Sequence, residues 1–281
     1  MNTSSGAEIE TGSFAPMLSV LWPPGSIRIV DWNINRGLKL SGILDYLRGA
    51  EADIILLQEC DLNARRTHRL NITQEIARRL QVNYVFGREF QELTQGSGDS
   101  PAYHGQATLS RWPLSKARII RFRKQSGFWR PRWYLPDIEP LQERLGGRMA
   151  LVTEANIGGR TVVAYNFHLE SRGDDRLRCS QLEECLDDAR HYSAGVPLVM
   201  AGDYNMDVTR SAANTALTGA RFRSVFSKPP DRTTPGSLLE RGRPIDWIFT
   251  RGPVRSDSAS VHTTVTASDH FPLSAKVAFS S

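Results

Sequence analysis

Apolar residues along this chain fall into two rhythms, and switches between them mark out the elements. Short apolar runs of strand length cover Ile27 to Trp32, Asp53 to Gln58, Val82 to Phe86, Gln106 to Ser110, Ile119 to Arg123, Met149 to Ala155 and Thr161 to Phe167. They recur from Val196 to Ala201 and over Ile245 to Thr250, Ser260 to Thr266 and Leu273 to Phe279. Helical spacing appears in Leu40, Ile43, Leu44 and Leu47, around Asn71 to Leu80, from Asp174 to His191 and around Ser211 to Leu217. The Asp174 helix opens on two acids and carries Leu182, Cys185, Leu186 and Ala189 on one face, which suits both its dipole and its packing. Residues 1–26, rich in Ser, Gly, Thr and Pro, read as a flexible arm, and 27–281 as one domain of mixed strands and helices. The stretch from Arg88 to Gly147 is the least regular.

Polar residues punctuate these runs at consistent places. Strands deliver Asn33, Glu59, His168 and Asp203 at their ends, Asn205 follows two residues after Asp203, Asp246 stands at the start of its strand, and Asp269-His270 precedes the last one. If the chain stays extended past Gly202, Asp203 and Asn205 share a face. Taken singly, Asn33 reads as a cap, Glu59 as a salt-bridged edge residue and Gly-Asp-x-Asn as a turn. Six such positions together are hard to assign to loop chemistry, because α/β sheets gather ligands at one end of their strands.

Composition alters this picture only in part. The hydrophobic fraction of 40% and charged fraction of 23% are those of an ordinary globular chain, and 281 residues suffice for a sizeable core. The net charge of +5 rests on thirty arginines and five lysines, which is compatible with nucleic acid, an anionic membrane surface or a phosphorylated small molecule as partner. Cys60, Cys179 and Cys185 lack zinc-type or disulfide spacing and read as reduced. No stretch approaches the ~18 apolar residues of a membrane span. The mildly apolar Phe14 to Trp22 segment lacks the basic flank of a secretory leader, so a cytoplasmic monomer is expected.

The segments Asp31-Trp32-Asn33, Leu57-Gln58-Glu59, Asn166-Phe167-His168-Leu169, Gly202-Asp203-Tyr204-Asn205, Ile245-Asp246-Trp247 and Ser268-Asp269-His270 resemble, in order, the motifs of the endonuclease/exonuclease/phosphatase superfamily. The resemblance spans roughly residues 27 to 279, with support from Gly105 to Pro113, Arg176 and Gln181. It implies a four-layer α/β sandwich of two packed, mostly antiparallel β-sheets flanked by helices. It further implies Mg²⁺, with Mn²⁺ able to substitute, held by Glu59, Asn33 and Asp269, a hard-oxygen set that suits this ion. Asp203 would activate water, Asn205 would hold it or a phosphate oxygen, and His270, oriented by Asp246, would face the phosphate beside His168. Two departures matter: Asn35 stands where nuclease branches often carry an acid, and His104 falls near a deoxyribonuclease glutamate that pairs with the histidine.

The implied chemistry is phosphodiester hydrolysis. Nucleic acid is favoured as substrate, and a sphingomyelinase-like or inositol-phosphatase-like activity is the alternative. Arg65, Arg66 and Arg172 lie near the motif residues as candidate phosphate contacts. The basic aromatic run Arg121 to Tyr134 suits base stacking, a lipid interface or an inward-packed cap.

Overall fold

The computed structural model describes residues 8–16, 24–138, 141–236 and 241–280. In chain order the strands are β1 Ile9–Ser13, β2 Ser26–Arg36, β3 Ile54–Leu62, β4 Asn83–Ser97, β5 Ser100–Ser110, β6 Leu114–Arg121 and β7 Arg144–Gly146. They continue with β8 Met149–Ile157, β9 Arg160–His168, β10 Leu198–Asp203, β11 Arg223–Ser224, β12 Asp246–Arg251, β13 Val254–Val261 and β14 Leu273–Phe279. The helices are α1 Leu40–Ala50, α2 Ile72–Leu80, α3 Asp175–Ala189 and α4 Ala212–Gly219. One sheet runs β1-β4-β5-β3-β2-β14-β13, with β7 also on β4, and the other runs β11-β12-β10-β9-β8-β6. Pairing is antiparallel except for β2 with β3 and β9 with β10.

Period-two alternation builds the layers. Ile55 and Leu57 of β3 join Val30 and Trp32 of β2 in a core against α1 and α2, while Ile54 and Leu56 join Ile27 and Ile29 in a core shared with Ala164, Val199 and Ile248 of the other sheet. Val163, Tyr165, Leu198 and Met200 form a third core against α3 and α4. Helix, sheet, sheet and helix are thus the four layers expected. Asp174 caps α3, accepting the Leu177 N–H at 3.0 Å, and Asn71 caps α2 through Gln74.

The same alternation makes the inter-sheet layer change character along its length. Inner positions are apolar at one end and become Asp31 and Asn33, Gln58, Asn166 and His168, Asp203, and Asp246 at the other, all buried. Gln58 Nε2 donates to Asp31 Oδ1 and to Asn166 Oδ1, both at 2.8 Å, and Asn166 Nδ2 donates to the carbonyls of Leu57 and Ala107. Burial, reinforced by Asp246, pushes the Asp31 carboxyl well above its usual range.

Three expectations need correction. The N-terminal arm contains β1, which pairs with β4 from Ile9–Gly87 to Ser13–Asn83, because backbone pairing needs little hydrophobicity; residues 1–7 and 17–23, including most of the Phe14 to Trp22 segment, lie outside the described residues. The strand expected over Ser260 to Thr266 is instead Val254–Val261, whose alternation is concealed by polar side chains on a mostly exposed edge. The irregular stretch begins later than expected, since β4 and β5 form a long hairpin that turns at Gly98 and Asp99. Among the described residues no helix is long and apolar enough to cross a membrane.

Candidate active site

Register brings the polar strand ends together. Asp203 lies directly opposite His168 on one side and Asp246 on the other, and Asn33 opposite Gln58 in the facing sheet. Across the gap Asn33 Nδ2 stands 3.3 Å from both Glu59 Oε1 and Asp203 Oδ2. Asp203 Oδ2 is also 3.4 Å from His168 Nε2 and 3.8 Å from His270 Nε2. One carboxylate oxygen is therefore surrounded by an amide and two imidazoles.

Glu59 reaches this cluster through a break in the ladder. The β3–β5 register slips between Leu57 and Cys60, and Glu59 takes a left-handed backbone at φ 55°, a conformation costing about 1 kcal/mol for a non-glycine residue. The bulge carries its side chain toward Asn33 and to 4.0 Å from His168 Nδ1. Asn205 departs from the expected extended geometry. β10 ends at Asp203, Asn205 adopts φ 53°, its N–H donates to Asp203 Oδ1 at 2.8 Å, and its Nδ2 donates to the Leu169 carbonyl at 3.0 Å. The pair is linked by a side-chain-to-backbone turn, not by sharing a strand face.

Charge states follow from the surroundings. Burial opposes the His270 cation, but Asp246, with both oxygens 2.9 Å from Nδ1, together with Asp203 and Asp269, raises it to about 10. Burial and the Asp246 carboxylate push Asp203 up to about 7, against the pull of His270. Burial, then the Arg148 guanidinium, drives His168 well below its ordinary range, leaving it neutral. Burial likewise opposes ionisation of Glu59, yet His104, His168, Arg36 and Arg144 hold its carboxyl well below the carboxylate range.

Of the expected metal ligands, Glu59 and Asn33 are neighbours, and Asp269 is exposed at the rim, tied to them through Ser268, whose hydroxyl lies 2.8 Å from the Asn33 carbonyl and 3.2 Å from Asp269. An anionic carboxylate, an amide and a rim carboxylate fit a hard divalent cation that keeps several waters. A second grouping, Asp203, Asp246 and His270, brings its ligand atoms within 4.8 Å of one another. His270 Nδ1 is already committed to Asp246 there.

Several contributors escaped the sequence reading. Thr233 donates its hydroxyl to Asp246 Oδ2 while accepting the N–H groups of Ile245 and Asp246, and nothing in its loop signals this. Arg144 comes from the segment that read as irregular, and Arg148 stands just after it, before the strand at Met149. Asp31 and Asn166 were detectable, each two residues before a site residue on the same strand face.

The arginines expected at phosphate separate. Arg65 and Arg172 are exposed, the latter 4.7 Å above the Phe128 ring. Arg66 instead forks onto both oxygens of Asp61 at 2.8 Å and reaches Glu92 at 2.8 Å, so its donors are engaged within the protein. His104 Nδ1 lies 3.4 Å from Asp61 Oδ1. Glu170 accepts from Trp129 Nε1 at 3.1 Å, anchoring the aromatic run beside the His168 strand end. That run divides: Phe122 and Trp129 are buried, whereas Trp133 and Tyr134 are 94% and 66% exposed.

The model of the endonuclease/exonuclease/phosphatase family matches residues 32–270. No curated protein matches the chain in sequence. Among solved structures, an endonuclease/exonuclease/phosphatase from Beutenbergia cavernae superposes with a TM-score of 0.67 at 18% identity, covering 92% of this chain and 72% of that one. The human nocturnin catalytic domain, solved with a bound sulfate anion, gives 0.66 at 19% identity over 97% and 98%. TDP2 from Caenorhabditis elegans gives 0.61 at 17% identity over 91% and 74%. At these identities the likeness is one of fold.

Proposed function

The chain belongs to the endonuclease/exonuclease/phosphatase family, and from that premise we propose that it is a Mg²⁺-dependent phosphodiesterase cleaving nucleic acid. The observation that carries this reading is the single oxygen, Asp203 Oδ2, shared by Asn33, His168 and His270 at 3.3 to 3.8 Å. Glu59 and Asn33, with Asp269 at the rim, would hold the cation, Mg²⁺ or Mn²⁺, which when bound neutralises phosphate charge and orients it for attack.

Everything else in the reaction falls to the chain. Asp203, at about 7, is matched to accepting a proton from an attacking water near neutral pH. Asn205, clamped between Asp203 and Leu169, fixes the orientation of that carboxylate. His270, kept charged by Asp246, presents Nε2–H to the negative charge that grows on phosphate oxygen in an in-line displacement. Neutral His168 contributes a hydrogen bond without adding charge.

Nucleic acid is favoured because Trp133 and Tyr134 stand on a loop with Arg130 and Arg132, and Arg172, from the loop after β9, packs on Phe128 of the same run, pairing stacking surfaces with phosphate contacts. The same exposed aromatics support a second reading, a phospholipid headgroup as substrate. Hydrolysis of an activated phosphodiester would be compared with Mg²⁺ and with EDTA, in wild type, Asp203→Ala and His270→Ala, and on DNA, RNA and sphingomyelin vesicles. Equal rates across all proteins and conditions would sink the enzyme reading. Cleavage of vesicle lipid without DNA or RNA cleavage would select the second.

A further inference from the structure

The far end of the six-stranded sheet carries positive charge that phosphodiester cleavage does not use. β12 runs from Asp246 at the catalytic rim to Arg251, which pairs with Leu198 at the start of β10. Five residue steps of strand, about 17 Å, separate the two ends. There the end of α3, the end of α4 with β11, and the turn between β12 and β13 enclose a cavity of about 460 Å³. Arg190, Arg221, Arg223 and Arg251 line it beside Tyr192 and Ala220, and among the described residues no acid does.

Local pairing leaves much of this charge unanswered. Arg190 pairs with Asp187, both largely exposed. Arg251 Nη2 donates to the carbonyls of Ala189 and Tyr192 at 2.7 and 3.0 Å, closing the end of α3, but its Nε is buried without a partner. Arg221 and Arg223 form no ion pair among the described residues. Burial, then the nearby Arg221, pushes the Arg251 guanidinium below its ordinary range, as expected where like charges converge without a counterion.

We propose that this cavity binds a small organic phosphate of the nucleoside polyphosphate class, at a site separate from the catalytic centre. Forked guanidinium donors match phosphate oxygens. The volume falls within the roughly 300–1,000 Å³ of small-molecule sites, and Tyr192, Ala220 and Val254 offer a wall for the organic part.

The test is calorimetric titration of the full chain in EDTA with ATP, inorganic phosphate and adenosine. Gly219 ends α4 on the cavity wall, and a Cβ added there meets nothing within 4 Å, so Gly219→Leu fills the space without removing a charge. Arg223→Glu reverses a charge on an exposed residue, and thermal melts would confirm that both variants fold. ATP is expected to bind wild type at one site more tightly than phosphate or adenosine. Each cavity variant should weaken it at least tenfold while cleaving a small activated phosphodiester at the wild-type rate, and Asp203→Ala should leave ATP binding unchanged. Absence of ATP binding to wild type would overturn the proposal. So would binding that survives both cavity variants, or phosphate binding as tightly as ATP.

Discussion

Two adjoining clusters of buried charge are built on opposite principles. Around the β4–β5 ladder, the carboxylates of Asp61, Glu89 and Glu92 meet the guanidinia of Arg66, Arg144 and Arg148: Arg66 on Asp61 and Glu92 at 2.8 Å, Arg144 on Glu92 at 3.2 Å, and Arg148 on Glu89 at 3.3 Å. Arg144 also meets Glu143 at 2.9 Å and Arg148 lies 3.9 Å from Glu170, so each carboxylate here faces a guanidinium. At the rim, Glu59, Asp203 and Asp246 form no ion pair with arginine or lysine among the described residues, and Asp203 is pushed up to about 7. In the first cluster carboxylates are answered by guanidinia inside the fold, while the carboxylates at the rim have no guanidinium or ammonium partner among the described residues. The two communicate, since Arg148 adds to burial in lowering His168 and Arg144 helps keep Glu59 ionised.

The comparison breaks most sharply at Asp203. Asp203→Ala should lower kcat on an activated phosphodiester by roughly 10²–10⁴, while its thermal midpoint holds or rises, because a buried carboxylate beside Asp246 is removed. In the first cluster the outcome reverses. Arg66→Ala takes the guanidinium from Asp61 and leaves Glu92 with Arg144 alone, and should cost about 3–5 kcal/mol in urea denaturation, with the folded fraction still cleaving; stability unchanged from wild type would show that the Arg66 pairs do not support the fold.

A finer test uses pH. His270 is raised above its ordinary value, so its cation and the associated stabilisation are complete below about 6.5 and are lost as pH climbs through about 10. Activity should therefore rise as Asp203 deprotonates near 7 and fall near 10, and Asp246→Asn should bring the alkaline limb to lower pH by removing the largest support of the cation. An unmoved limb would show that another group sets it. The smallest effect is expected at Arg172, exposed above Phe128: Arg172→Ala should weaken nucleic-acid binding only several-fold and reduce the slope of log affinity against log salt by about one. Arg66, by contrast, should leave that slope unchanged.

Legibility in the sequence followed the strength of the local signal. β2, β3, β9, β10 and β12 have buried faces on both sides, so their apolar runs stood out and their polar ends were conspicuous. β13 and the outer half of the β4–β5 hairpin carry polar, partly exposed side chains, and β1 is held chiefly by backbone pairing; none has the hydrophobic contrast that marks a strand. Arg66 looked like a free phosphate contact because its partner Glu92 is 26 residues away on a stretch that read as irregular. Thr233 was invisible for the same reason, 13 residues from the carboxylate it holds.

The sequence by itself determined which residues end the buried strands, Asn33, Glu59, His168 and Asp203, and that Asp246 opens its own. Tertiary structure alone decided that a bulge turns Glu59 toward Asn33, that Asn205 leaves the strand path, that His168 is neutral and His270 charged, and that Arg66 is spent on its neighbours. Where an apolar run ends is a property of adjacent residues. Desolvation and Coulomb interaction depend on groups from distant parts of the chain, and they exist only once the two sheets have closed.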